Sequence, residues 1–220
     1  MGTIHFYIAR HGQTRVNRLA RLQGTTDSAL TVRGLMNARS LGRRLANVRF
    51  NAIFASNLKR TQETADNIIQ MNSFPDPPRF FLSDLREFDF GKYEEVRKRS
   101  LLPNALWTLG PIQILRTAFG HKHANGLVDL FDRMANDVRL ESSEELSQRM
   151  RQTLEAIARV YQEGEPNILI VTHGLILSSF IESLGGNVPL LLVKNTDIVR
   201  IDYDQEKFMI VNSNSLEKKR

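Results

Sequence analysis

Histidine followed by glycine occurs twice at the end of a short apolar run, as His11-Gly12 after Ile4–Ala9 and as His173-Gly174 after Asn167–Thr172. Arg10 precedes the first pair. Arg60 falls in the first turn of a helix expected after another such run, Asn51–Ala55. Runs of this length, rich in β-branched and aromatic residues, read as buried strands. Open α/β sheets bind ligands just past the carboxyl ends of their strands, and Gly12 permits the turn or close backbone approach needed there. With parallel connections, both histidines and both arginines would converge on one edge of the sheet. Two imidazoles, two guanidiniums and helix N-termini suit a dianion such as phosphate.

The chain has no cysteine and no evident Ser–His–Asp order, so a histidine nitrogen is the best nucleophile on offer. It attacks phosphorus only when neutral. One positive charge at about 4 Å is worth about 4 kcal/mol at an effective dielectric of about 20. That corresponds to roughly 3 pKa units against a reference near 6.5, and a third of it leaves His11 mainly neutral at pH 7. The same charges would stabilise phosphoryl oxygens in transit. A departing alkoxide needs a proton, so a carboxylic acid is expected nearby. Glu87, in the loop after a strand at Arg79–Leu82, is the candidate, with Asp84 and Asp89 as alternatives. No lysine-bearing glycine-rich nucleotide loop is present, so the phosphate need not belong to ATP.

Hydrophobic spacing gives the elements that must carry these groups. Thr31 is a favourable N-cap for a helix with Leu35, Ala38, Leu41, Leu45 and Ala46 at helical spacing. Ser56 or Asn57 should cap the next helix, through Leu58, Thr61, Ala65, Ile68 and Ile69, and the prolines before Arg79 break it. Arg15–Leu30 lacks periodicity and reads as a loop. Ser142 or Ser143 opens a helix to Gln162 with Leu146, Met150, Leu154, Ile157 and Val160 on one face. A helix from Leu175 to Leu184 follows the second histidine, and Ile198–Tyr203 with Phe208–Val211 form a terminal hairpin. Between about residues 93 and 140 the pattern weakens around Pro103, Gly110, Pro111, Gly120 and Gly126, and reads as a helical lid insertion. The expectation is one domain over residues 1–220, an α/β/α three-layer sandwich around a mostly parallel sheet.

The 220 residues can bury a substantial core without disulfides or metal staples. The lack of cysteine fits a reducing cytoplasm, and Arg10 interrupts the only early apolar run that could act in targeting. His173, Gly174 and Glu182 argue against a membrane span in Ile168–Leu184. Thirty Lys and Arg against 24 Asp and Glu leave +6, which a small anionic substrate explains as well as nucleic acid or anionic lipid does. His121 and His123 could pair on a metal but read as solvated; no metal or cofactor is expected. Arg97-Lys98-Arg99 reads as a solvated face rather than a contact to a second anionic group. Trp107, Phe119 and Phe131 read as the small core of the insertion rather than a substrate pocket. The partner expected is a small phosphorylated substrate, without nucleic acid or membrane, and a homodimer is allowed for.

Several ordered blocks resemble the histidine phosphatase superfamily, the phosphoglycerate-mutase-like proteins. They are Arg10-His11-Gly12-Gln13-Thr14 with Asn17, then Leu22-Gln23-Gly24 with Asp27, Leu30-Thr31 and Gly34. Ser56-Asn57-Leu58-Lys59-Arg60-Thr61 with Thr64-Ala65 follows, and after it Leu85-Arg86-Glu87-Phe88-Asp89-Phe90-Gly91. The last are Glu141-Ser142 with Arg149 and Val171-Thr172-His173-Gly174. The resemblance selects Glu87 over Asp84 and Asp89. It implies that His11 takes the phosphoryl group covalently and that Glu87 serves as acid, then as base for water. It implies that Arg10, Arg60 and His173 hold the phosphate, helped by Gln13, Thr14, Asn17, Gln23, Gly174 and the Gly24 backbone. Two departures stand out: Glu94-Glu95 where the family usually has Glu-Gly, and Leu140 where a glycine often precedes Glu-Ser.

Three functions are therefore in play. Hydrolysis of a phosphomonoester through a phosphohistidine is favoured, because Gln13-Thr14 and Leu22-Gln23-Gly24 look like the phosphatase branch. A phosphoglycerate mutase, which needs a bisphosphate primer, is the alternative; mutases tend to carry Glu-Ser and Thr-Gly-Trp in those places. A non-catalytic phospho-ligand or nucleic-acid binder is the third, and Glu87 argues against it, since binding an anion gains nothing from a carboxylate.

Overall fold

The computed structural model describes residues 2–101, 123–135, 139–188 and 193–213, with isolated positions 103, 106, 107 and 110. Strand β1 (Ile4–Arg10) lies near the middle of a six-stranded sheet, with β2 (Ala52–Ser56), β3 (Arg79–Leu82), β4 (Asn167–Thr172), β5 (Ile198–Asp204) and β6 (Lys207–Ser213). The order across the sheet is β3-β2-β4-β1-β5-β6. β3, β2, β4 and β1 pair in parallel, and the β5–β6 hairpin adds antiparallel to β1.

The three central strands read as continuous apolar runs because both of their faces are covered. Phe6 and Ile8 of β1, Ala52 and Phe54 of β2, and Ile168 and Ile170 of β4 enter one core. Alternate residues Ala9, Ile53, Ala55, Leu169 and Val171 enter the other. Helices α2 (Val32–Arg44) and α3 (Lys59–Ile69) cover the second face with Ala38, Leu41, Ala65 and Ile68. On the first face lie α4 (His123–Ala135), α5 (Ser143–Val160) and α6 (Gly174–Ser183), contributing Val128, Phe131, Leu146, Met150, Leu154, Ile176 and Phe180. The result is the three-layer α/β architecture expected.

Local chemistry sets the helix starts. Thr31 accepts Gly34 N–H at 3.0 Å at the start of α2. Ser142 and Glu145 form a reciprocal capping box on α5. Two expectations are corrected. The stretch read as a loop after Gln13 contains a single-turn helix, α1 (Arg15–Arg18), too short to show periodicity and held by a capping box between Thr14 and Asn17. At α3 the N-cap is Leu58, with no side-chain bond. Asp27 supplies the acceptors from another loop, taking Lys59 N–H at 2.6 Å and Arg60 N–H at 3.4 Å, because the Ser56 hydroxyl is turned inward.

The longest described element of the expected insertion is α4. It buries Ala124, Val128, Phe131, Met134 and Ala135 in the same core as Phe88, Phe90 and Tyr93. Glu182 of α6 accepts Ala124 N–H at 2.8 Å and Asn125 N–H at 3.0 Å, capping α4 from below. Phe131 is a core residue, whereas Trp107 is 92% exposed and belongs to no core, its face being turned to solvent beside half-exposed Leu106. Phe119, His121, Lys122 and Gly120 lie outside the described residues. Among the described residues no helix is long and apolar enough to cross a membrane.

Candidate active site

The ends of β1, β2 and β4 lie side by side, with Arg10 opposite Thr172 and Ala55 opposite Val171. His11 N–H extends this ladder to Thr172 O at 2.9 Å, which fixes the origin of its ring. The ring is 2% exposed. Its Nδ1 lies 2.8 Å from Gly12 O. A carbonyl only accepts, so Nδ1 carries the proton and Nε2 keeps the lone pair. Burial, then the Arg60 and Arg10 charges, holds His11 well below the usual imidazole range, against the opposing pull of Gly12 O. Gly12 is needed in this packing, since a Cβ there would stand 2.9 Å from Gly34 O. The outcome is a neutral imidazole with a nucleophilic nitrogen.

His173 is completely buried, and its ring centre is 5.1 Å from that of His11. Its Nδ1 lies 3.0 Å from Arg60 Nη2. A guanidinium only donates, so Nδ1 accepts and the proton resides on Nε2, which donates to Ser56 Oγ at 2.8 Å. Ser56 is in turn 2.8 Å from Thr61 Oγ1. Burial, then the Arg60 charge, lowers the His173 pKa well below the imidazole range. With both nitrogens engaged, His173 orients Arg60 and is poorly placed to attack.

Arg60 is also fully buried. Its Nη2 donates to Gly24 O at 2.6 Å and its Nη1 to Thr26 O at 2.7 Å, with Asp27 3.4 Å from Nη1. Arg10 Nη1 donates to Val193 O at 2.7 Å. The Arg10 guanidinium lies on Gly174, where a Cβ would stand 2.7 Å from Arg10 Cζ. The Nε atoms of both arginines are buried without a hydrogen-bond partner among the described residues. A buried donor left unpaired costs about 1–3 kcal/mol, more when charged, and an anion reaching both would remove that cost.

Glu87 is 5% exposed. Its Oε2 accepts Leu175 N–H at 3.0 Å, and its Oε1 accepts Ile176 and Phe88 N–H at 3.0 Å. Leu175 and Ile176 lie in the first turn of α6, so Glu87 caps the helix that His173, its own N-cap, leaves without a side-chain bond. Arg149 anchors the loop before it, donating to Asp84 O at 2.6 Å and Arg86 O at 3.0 Å while paired bidentately with Glu141 at 2.7 and 2.8 Å. The alternatives point elsewhere: exposed Asp89 accepts Gly91 N–H at 2.8 Å, and exposed Asp84 lines a groove between β3 and α5.

The other candidates form a supporting ring. Thr14 donates to Gln23 Oε1 at 2.6 Å, and Asn17 Nδ2 does so at 3.3 Å. Gln23 Nε2 donates to Thr26 O at 3.3 Å and Ser28 Oγ at 3.1 Å. Gln13 accepts from Thr31 Oγ1 at 2.9 Å. The Gly24 N–H, expected to face phosphate, donates to Glu94 Oε2 at 3.1 Å. Sequence reasoning did not single out Ser56, Asp27 or Asn195. Ser56 and Asp27 sit inside recognised blocks. Asn195 lies far from any block, yet donates to His11 O at 2.9 Å and Asn17 Oδ1 at 3.2 Å. Lys98, read as a solvated face, is exposed along part of its length but crowded at the rim. Burial, then the Arg10 charge, lowers its pKa, with Glu87 opposing.

A family model, histidine phosphatase superfamily (branch 1), matches residues 6–216. The chain belongs to the histidine phosphatase superfamily. It is 30% identical over 213 residues to a probable phosphoglycerate mutase GpmB of Erwinia tasmaniensis, covering 94% of this chain and 88% of that protein. The alpha-ribazole phosphatase of Shigella flexneri superposes with a TM-score of 0.68 at 26% identity, covering 96% of each chain. A phosphoglycerate mutase of Bacillus anthracis reaches a TM-score of 0.85 at 24% identity over 96% of this chain and 92% of that one, a likeness of fold.

The two departures from the superfamily pattern acquire a physical meaning. Glu95 holds φ +59, the left-handed region a glycine enters freely, and a side chain there costs about 1–2 kcal/mol. Leu140 is 9% exposed and joins the core around Phe131, its Cδ2 3.5 Å from where a Cβ on Gly91 would stand.

Proposed function

We propose that the protein hydrolyses the phosphomonoester of a small metabolite through a phosphohistidine on His11 Nε2. The observation that carries this reading is the pairing of a neutral, Nδ1-protonated His11 with two buried arginine Nε–H groups that have no acceptor among the described residues. In this mechanism Arg10 and Arg60 orient the phosphoryl group and take up its charge as Nε2 displaces the alkoxide. An entering dianion offsets the arginine charges and brings a second negative group beside Glu87. Glu87 supplies the proton that the leaving oxygen needs. The same carboxylate then activates the water that releases inorganic phosphate. Lys98 at the rim suits a second anionic group on the substrate.

A mutase reading is supported by the name given to the Erwinia tasmaniensis relative. The alpha-ribazole phosphatase of Shigella flexneri supports hydrolysis. Rapid alkaline quench of the enzyme with a labelled phosphomonoester should leave an acid-labile, base-stable adduct on the peptide containing His11, with stoichiometric release of inorganic phosphate. A label on His173, or full turnover by His11→Ala, would refute the mechanism. Interconversion of 3- and 2-phosphoglycerate faster than phosphate release, after priming with the bisphosphate, would establish the mutase.

A further inference from the structure

The carboxylate of Glu94 is seated in backbone N–H groups of the loop that holds Arg60. Its Oε2 accepts Gly24 N–H at 3.1 Å, Thr26 N–H at 3.4 Å and Thr26 Oγ1–H at 2.7 Å. Its Oε1 accepts Thr25 N–H at 3.0 Å and Phe90 N–H at 3.2 Å. Successive N–H groups curved around one centre make an anion-binding concavity, and here the anion is the chain's own. Gly24 is required for this seat, since a Cβ there would collide with Glu94 Oε1 and Phe88 O.

The same loop turns its carbonyls the other way. Gly24 O and Thr26 O accept from Arg60 Nη2 and Nη1 at 2.6 and 2.7 Å. The Thr25 N–H and the Gly24 C=O belong to one peptide unit, so Glu94 and Arg60 bind opposite ends of a single amide dipole. Each bond polarises the amide and strengthens the other. Without the carboxylate, four N–H groups and the Thr26 hydroxyl lose their acceptor, and the two carbonyls lose the reason for their direction.

We infer that Glu94 is a positioning residue for the phosphate site, fixing through the Gly24–Thr26 loop the carbonyls that aim Arg60 at the anion. The inference rests on the reading of Arg60 as a phosphate ligand. The test uses the full chain and orthovanadate as the probe, with affinity measured by calorimetry for wild type, Glu94→Gln, Arg60→Ala and the double variant. Glu94→Gln, nearly isosteric, should weaken vanadate binding tenfold or more, and in the Arg60→Ala background should change it by less than twofold. Equal losses in both backgrounds, or a loss under twofold in the wild-type background, would overturn the inference while leaving Arg60 as a ligand. Wild-type affinity in Arg60→Ala would instead remove the phosphate reading beneath it. Should Glu94→Gln fail to fold, Glu94→Asp enters the same cycle; if neither folds, Glu94 belongs to the framework and the inference fails.

Discussion

His11 and His173 are separated chemically by what their nitrogens meet. Gly12 O forces the proton of His11 onto Nδ1, whereas Arg60 and Ser56 occupy both nitrogens of His173. Only His11 has a tautomer that leaves a lone pair free for substrate. Its neutrality has two sources, burial first and the arginine charges second, and the pH dependence of phosphoenzyme formation can separate them. In the proposed mechanism the neutral form reacts, and with its pKa depressed the rate should stay level as pH falls through about 6.5 and drop only well below it. Arg60→Ala removes one of the lowering charges, so the acid limb should move up towards about 6.5 in pre-steady-state profiles. A limb that stays in place would show that the Arg60 charge contributes nothing to the depression, leaving burial and Arg10 as its sources.

At the scale of elements, helix starts and turns separate what was legible from what was not. The β5–β6 turn places Gln205 and Glu206 at φ +47 and +62, in a two-residue connection between Asp204 and Lys207. Left-handed backbone at both central positions matches the twist of the strands but suits Asn-Gly. Gln205→Asn with Glu206→Gly should therefore stabilise the protein by about 1–2 kcal/mol in urea titration without altering turnover. A neutral or negative effect would mean that the side chains of Gln205 and Glu206 contribute more than the strain they carry. The hairpin itself was legible from two apolar-rich runs on either side of Asp204–Lys207, and the central strands from continuous apolar runs. The caps of α3, α4 and α6 were not, because Asp27, Glu182 and Glu87 reach them from distant parts of the chain. Patterns of local spacing cannot report an acceptor supplied across the fold. The same limit hid Asn195, and it concealed that Gly24 N–H is spent on Glu94.

For the molecule as a whole, the weak pattern after residue 93 suggested a cover laid over the site, yet α4 is part of the packing that holds the site. Phe131 is the hub: its ring lies 4.9 Å from Phe90, 6.0 Å from Tyr93 and 6.3 Å from Phe88. Phe88 and Phe90 flank the acid loop, so the core that seats α4 also seats Glu87. Composition could not show this, because glycines and prolines interrupt the segment while the apolar residues that dock it meet partners from α5, α6 and the loop carrying Phe88 and Phe90. Phe131→Ala should cost about 3–5 kcal/mol of global stability, the range for emptying a buried aromatic site. The denaturant transition should remain single, with its midpoint lowered and its slope unchanged. Turnover should fall with it, since Glu87 reaches the α6 N–H groups at 3.0 Å only while its loop is held. A separate cover would behave differently: an unchanged midpoint with altered substrate preference, or a second transition at low denaturant, would show that α4 opens independently of the catalytic core.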